Sequence, residues 1–416
     1  MSARLLATYR IACPANEIEA RARALAVEQS VEMPVEAIRD PRVLAEVVAR
    51  VESIRPDPSQ GNEAALTPAL SQGRGSPFLP SPSGRGVGGE GSHFSGRDVG
   101  GEGAVAERRG GGAFEVVLGI AAETTGPEAS QLANMLFGNC SLQPEVELLD
   151  VRFPPGYAAS FPGPAFGVAG LRERTGAGPA RALTCSALKP QGSTVEHLAA
   201  LAGTFARAGI DVVKDDHGLA DQAASPFAAR VPAVQRAIDA ANRETGGRTL
   251  YAPTFSGGPK ALAAQARIAR DCGVGAALVA PMLVGLPAFV ELRRDAGFVL
   301  LAHPAWAGAA RVSPALLLGK LFRLFGADAT IFPNHGGRFS YGRETCLAIA
   351  AAARAPWEGV EPALPVPAGG MSVERVEGMI ADYGRDTMLL IGGGLLDAGE
   401  GLPAASRDFV RRVHAT

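Results

Sequence analysis

Four consecutive residues, Lys214, Asp215, Asp216 and His217, follow the apolar run of residues 209–213. A lysine among carboxylates can simply form an ion pair. Alternatively its amine, when neutral, adds carbon dioxide and becomes a carbamate, an anionic oxygen ligand suited with Asp216 to a hard Mg2+ ion. Alternation along a strand puts Lys214 and Asp216 on one face, with Asp215 opposed. Other polar residues end other apolar runs: Lys189, Thr254, Ser256, His303, Asn334, His335 and Arg338. Two further runs end in glycines, Gly369 and Gly370 in one, Gly392, Gly393 and Gly394 in the other. Glycines there let backbone N–H groups reach a phosphate with no side chain in the way. Tight left-handed turns at helix starts are the competing use of the same residues.

Those residues need elements that bring them together. From Arg181 onward eight short apolar runs (RALTCSALK, GIDVVKDD, RTLYAPTFSG, GAALVAPM, GFVLLAHP, ADATIFPN, ALPVPAGG and TMLLIGGG) alternate with helical stretches, among them 195–208, 259–272, 313–325 and 372–383. That predicts an α/β fold whose C-terminal part, residues 151–416, is a (β/α)8 TIM barrel with the polar strand ends at one mouth. A doubly wound open sheet would usually need fewer strands and would place its glycines after the first. Residues 1–150 read as a small α+β domain: strand 5–11, helix 15–28, two strands within 42–54 and 114–123, and helix 128–137. Between its strands lies a Gly/Pro-rich insertion, 56–112, in which SGRGVGGEG recurs as SGRDVGGEG. It has too little apolar surface to offset chain entropy and is expected to be a disordered loop.

Composition narrows the function classes. The 416 residues are 47% hydrophobic and 20% charged, enough to build a large core. Forty Lys+Arg balance 42 Asp+Glu at a net charge of −2, so no basic field recommends nucleic acid or an anionic membrane. Five scattered cysteines without a CxxC argue against disulfides and a thiolate zinc site. No leader-like or membrane-spanning apolar stretch stands out, which gives a cytoplasmic location as the expectation.

GIDVVKDDH resembles the activation motif of the ribulose bisphosphate carboxylase (RuBisCO) large subunit, which normally ends in Glu. ALKPQG, SPFAAR, LLAHPAWAG, IFPNHGGRF, LPVPAGG and IGGGLL agree in order, and LFGNC and AVEQS extend the likeness into the small domain. The resemblance implies that Lys189 shuttles protons, that Lys214 is carbamylated, and that Lys214, Asp216 and His217 hold the metal. It makes His303 a mouth histidine and gives Gly369, Gly370, Gly393 and Gly394 a phosphate. It also implies a homodimer or higher homo-oligomer, in which Asn139 and Glu28 complete the partner's site in trans.

Departures from the family pattern select a branch. The family's second lysine is Gln191 here, and His217 replaces a carboxylate, so a divalent metal other than Mg2+ is also compatible. The side chains that grip a second phosphate in the family are replaced by Pro304, Ile331 and Ala368. Arg338 stands for the lysine that steadies the carboxylated intermediate. The chain is therefore similar to the RuBisCO-like proteins (form IV), which do not fix carbon dioxide. The expected chemistry is metal-dependent enolisation or decarboxylation of a monophosphorylated keto-sugar or keto-sugar-acid, with Lys189, Lys214, His303 and Arg338 as catalytic residues. Decarboxylation is slightly favoured because Arg338 suits a substrate carboxylate. The alternatives are an enolase or isomerase of a methylthioribulose-phosphate-type substrate, or a non-catalytic binding protein.

Overall fold

The computed structural model describes residues 3–58, 112–295 and 297–416. Strands β1 (Arg4–Cys13), β2 (Arg50–Pro56), β3 (Gly112–Ala121) and β4 (Val146–Arg152) form an antiparallel sheet in the order β2-β3-β1-β4. Alternate residues of β1 (Leu5, Ala7, Tyr9 and Ile11) are buried, as a half-covered antiparallel sheet requires. Helices Ile18–Glu28 and Ala129–Phe137 contribute Leu25, Leu132 and Leu136 to the same core. Glu128 starts the second helix by accepting from the Ser130 and Gln131 N–H groups.

Two expectations need correcting here. Residues 43–47 form a π-helical turn, and the strand begins only at Arg50. The Arg4 guanidinium donates to the carbonyls of Glu46 and Val48, which holds that stretch out of the ladder. Pro56 and Gly112, placed in the insertion, belong to paired strands, and Asp57 N–H still donates to Ala113 O. The predicted disorder falls on residues 59–111, outside the described residues.

The larger part is the expected barrel. Its strands are β5 (Leu183–Leu188), β6 (Val212–Asp215), β7 (Leu250–Ala252), β8 (Thr254–Phe255), β9 (Ala276–Val279), β10 (Val299–Ala302), β11 (Ala329–Pro333), β12 (Leu364–Ala368) and β13 (Met388–Leu390), all paired in parallel. β7 and β8 are one barrel strand interrupted at Pro253, whose carbonyl still accepts from Leu278 N–H. The ladder opens once more, between β12 and β13. Leu364 N–H donates towards β11, so by alternation residues 365 and 367 aim theirs at β13; both are prolines and have none to give. The strands remain side by side, bridged by the Thr387 hydroxyl donating to Pro365 O.

Period-two alternation builds the barrel interior from Leu183, Cys185, Val212, Leu278, Val299, Leu301, Ala329, Ile331, Leu364, Val366, Met388 and Leu390. Continuing each strand's inward series by two residues reaches Lys214 and then Asp216, Ala187 and then Lys189, and His303. The chemistry-bearing residues are the top of a stack whose lower part is an apolar plug. Among the described residues, no helix is long and apolar enough to cross a membrane.

Candidate active site

At the C-terminal ends of the barrel strands lies a cavity of about 730 Å3. Lys189, Lys214, Asp216, His217, His303 and Arg338 all line it, together with Gly369, Gly370, Gly393 and Gly394. The barrel residues expected to be catalytic, metal-holding or phosphate-binding therefore share one chamber.

Asp216, 2% exposed, is the electrostatic centre. Its Oδ2 pairs with the Lys189 ammonium, its Oδ1 accepts from Gly218 N–H at 3.0 Å, and His217 Nδ1 stands 3.3 Å away. Burial opposes the charge, but Lys189, the Gly218 N–H and Lys214 outweigh it and hold the carboxyl well below its usual range. Lys214, 4% exposed, donates to the Asp215 carbonyl at 3.0 Å. Burial, reinforced by Lys189, lowers its pKa against the opposing pull of Cys185 and Asp216. That shift favours the neutral amine a carbamate requires.

Asp215 lies on the other side of β6. It is fully buried, and it accepts from Arg230 Nε (3.2 Å), Tyr251 OH (2.8 Å) and Thr254 N–H (3.1 Å). Arg230, also fully buried, donates onward to the carbonyls of Ser225, Leu219 and Ala220. The SPFAAR motif thus serves the wall of the site and does not enter the cavity.

His217 and His303 stack, with ring centroids 4.3 Å apart and planes 9° from parallel. His303 Nδ1 accepts from Ala305 N–H at 3.1 Å, so the neutral ring carries its proton on Nε2. Burial first, then Lys214 and His217, push its pKa down to about 2. His303 is therefore a neutral hydrogen-bond donor. In 15N NMR its Nε2–H tautomer should persist unchanged across roughly pH 5–8; a titration near 6.5 would refute this assignment. The sign for stability follows. Below the unfolded histidine pKa of about 6.5 the unfolded chain takes up a proton that this buried ring refuses, so the contribution is complete above that pH and is lost as pH falls.

Not every strand-end residue reaches the chamber. Thr254 hydrogen-bonds the Asp216 carbonyl, and Ser256 is tied to Gln265, so both brace the wall. Asn334 is buried against Tyr383 and Met371, and His335 Nε2 bonds Asp382; neither lines the cavity. Gln191 Nε2 lies 3.5 Å from Asp216 Oδ1.

The glycines divide by what they face. Gly369 and Gly370 have φ of +89° and +80°, and Cβ atoms there would strike the Phe339 ring and the Arg338 backbone nitrogen. Arg338 N–H donates to Gly369 O at 3.2 Å. These two glycines therefore admit the Arg338 segment as well as lining the cavity. Gly393 faces open space. Asn139 lies outside the cavity on the small domain, where its Nδ2 donates to Glu28 and Glu32, each at 2.9 Å. Tyr341 and Asp397 line the cavity without having been anticipated. Their distance from recognisable motifs, three residues past Arg338 and four past Gly393, was the available signal.

A barrel with a lysine paired to a buried aspartate, a second, buried lysine and a donor histidine at its mouth, preceded by a small antiparallel domain, defines a class of enolising enzyme. Residues 168–407 match the family described as ribulose bisphosphate carboxylase large chain, catalytic domain. The chain is 47% identical to a 5-methylthioribulose-1-phosphate isomerase of Rhodospirillum rubrum, over 99% of this chain and 97% of that one. It is 46% identical to ribulose bisphosphate carboxylase-like protein 1 of Rhodopseudomonas palustris, over 99% and 98% of the two chains. A crystal structure of a Rubisco-like protein from Rhodopseudomonas palustris superposes with a TM-score of 0.81 at 44% identity, covering 100% of this chain and 98% of that one. The chain belongs to the RuBisCO large-chain family, and within it to the RuBisCO-like enzymes and not the carboxylases.

Proposed function

We propose that the protein is a metal-dependent isomerase that moves a ketone along a monophosphorylated, methylthio-type keto-sugar through an enediolate. The lining of the cavity carries this reading. Pro304, Ile331 and Ala368, which stand where the family resemblance puts the grip on a second phosphate, all face the chamber. Among its described lining residues the Lys and Arg side chains are Lys189, Lys214 and Arg338. One phosphate and one apolar end suit such a chamber; two phosphates do not. The relative with 47% identity is named for a substrate of that kind. Decarboxylation rested on Arg338 alone, and the relative named for a methylthio sugar phosphate outweighs it.

The donor set fits a divalent ion only if Lys214 is carbamylated. Among the described residues no three His, Cys, Asp or Glu side chains form a metal-holding group. Asp216 and His217 offer an oxygen and a nitrogen, and a carbamate on Lys214 would add the third donor. Mg2+ favours the oxygens, and the imidazole also admits softer divalent ions. When bound, such an ion polarises the substrate ketone and stabilises the enediolate oxygen. With Asp216 engaged by the ion, Lys189 in its neutral amine form would remove the proton from the neighbouring carbon and return it at the new position. His303 Nε2–H donates to a substrate oxygen, and Arg338 with Gly369, Gly370, Gly393 and Gly394 receives the phosphate. Trp306 and Phe339, both exposed, also line the chamber. Asn139 and Glu28, already hydrogen-bonded together, reach the chamber of a partner protomer in a homodimer.

Proton NMR in D2O with divalent metal and bicarbonate tests the reading. 5-Methylthioribulose 1-phosphate should take up deuterium beside its ketone and yield the positional isomer, while a ketose bisphosphate should not turn over. Uptake of a solvent deuteron in place of a lost carboxylate, on a β-keto sugar-acid phosphate, would make it a decarboxylase. Tight binding of every phosphate without exchange would make it a binding protein.

A further inference from the structure

We propose that Asp382 is a positioning residue for Arg338, clamping both ends of the segment that carries it across the cavity. The segment runs from the end of β11 to the helix Arg343–Arg354. At its start His335 Nε2–H donates to Asp382 Oδ2 at 2.8 Å, and at its end Arg343 Nε donates to Asp382 Oδ1 at 2.9 Å. One carboxylate on the helix Val376–Tyr383 thus holds two points eight residues apart. Neighbours on the same side add to the start of the segment: Arg375 Nη2 donates to His335 O at 2.8 Å, and the Tyr383 hydroxyl bonds Asn334 Oδ1. Between the clamped ends, Gly337, the Arg338 N–H and the Phe339 ring rest on Gly369 and Gly370. Asp382 itself does not line the cavity. Its influence on chemistry passes through the main chain it fixes, because tied ends limit the conformations the intervening residues explore.

The carboxylate is required for a chemical reason. Each of its oxygens accepts from a different partner, and Arg343 contributes a charge-assisted bond. In Asp382→Asn the remaining oxygen can keep Arg343, while the amide N–H meets His335 Nε2 only in the other ring tautomer and without charge, so the clamp is weakened. Asp382→Ala frees both.

The proposal rests on the reading of Arg338 as a substrate-facing group, and its test has an arm that needs no turnover. Hydrogen exchange of the full-length protein, read by mass spectrometry on peptides spanning 335–342, should quicken about tenfold in Asp382→Ala and less in Asp382→Asn. Exchange in the barrel strands should stay as in wild type. With 5-methylthioribulose 1-phosphate, Asp382→Ala should lower kcat/KM about tenfold in the wild-type background and have little effect in Arg338→Ala. Unchanged exchange in the segment overturns the clamp, as does an equal loss of activity in both backgrounds. If Asp382→Ala fails to fold, Asp382→Asn carries the same two comparisons. Absence of wild-type turnover would overturn the isomerase reading, while the exchange comparison would still decide the clamp.

Discussion

Lys214→Ala is expected to lower kcat by about 10³-fold or more, the scale of losing a metal's transition-state stabilisation. The side chain is buried beside Asp216 and, in the proposed carbamate form, would supply the third donor that Asp216 and His217 lack. Lys214→Arg should be as inactive. Arginine keeps the positive charge but remains protonated and forms no carbamate, so the pair of variants separates a need for charge from a need for a neutral amine. Wild-type activity should rise on preincubation with bicarbonate and divalent metal, and neither variant should respond. Stability should change little, because burial already disfavours this ammonium in the fold. Activity within about tenfold of wild type in Lys214→Ala would remove the carbamate from the mechanism.

Arg230→Ala is expected to destabilise the fold by about 3–5 kcal/mol, the usual penalty for stranding one member of a buried ion pair. Both partners are fully buried. The Asp215 pKa is raised because burial outweighs Arg230, Tyr251 and the Thr254 N–H. The charged carboxylate is thus a burden on the fold that Arg230 makes tolerable, and removing Arg230 leaves the burden in place. An Asp215→Asn/Arg230→Met double variant should recover much of the loss, since two neutral groups avoid the desolvation. Urea unfolding measures this as a fall in midpoint at constant slope. A loss below about 1 kcal/mol in Arg230→Ala would mean that water or a rearranged side chain reaches Asp215.

Much of the site was legible in the sequence because a strand has a period of two. Once the eight runs were read as barrel strands, the inward series placed Lys189, Lys214, Asp216 and His303 at one mouth. The same parity turned Asp215 outward, where it meets Arg230. Departures at Pro304, Ile331 and Ala368 were equally plain, and each does line the chamber.

Beyond the strand ends that logic fails, because loop residues have no fixed period. Asn334 and His335 follow β11 as directly as His303 follows β10, yet the Tyr383 and Asp382 side chains of a neighbouring helix draw them away. Residues 43–47 look like a strand locally, but Arg4, more than forty positions earlier, takes the Glu46 and Val48 carbonyls.

By itself, then, the sequence determined which residues belong to the barrel's reactive layer, since side-chain parity and residue chemistry are local properties. Only the tertiary structure decided which glycines admit the Arg338 segment, that Tyr341 and Asp397 join the chamber, and that one distant carboxylate ties both ends of a loop. Each of those depends on groups far apart in the chain being brought within hydrogen-bond or van der Waals reach, which no local pattern encodes.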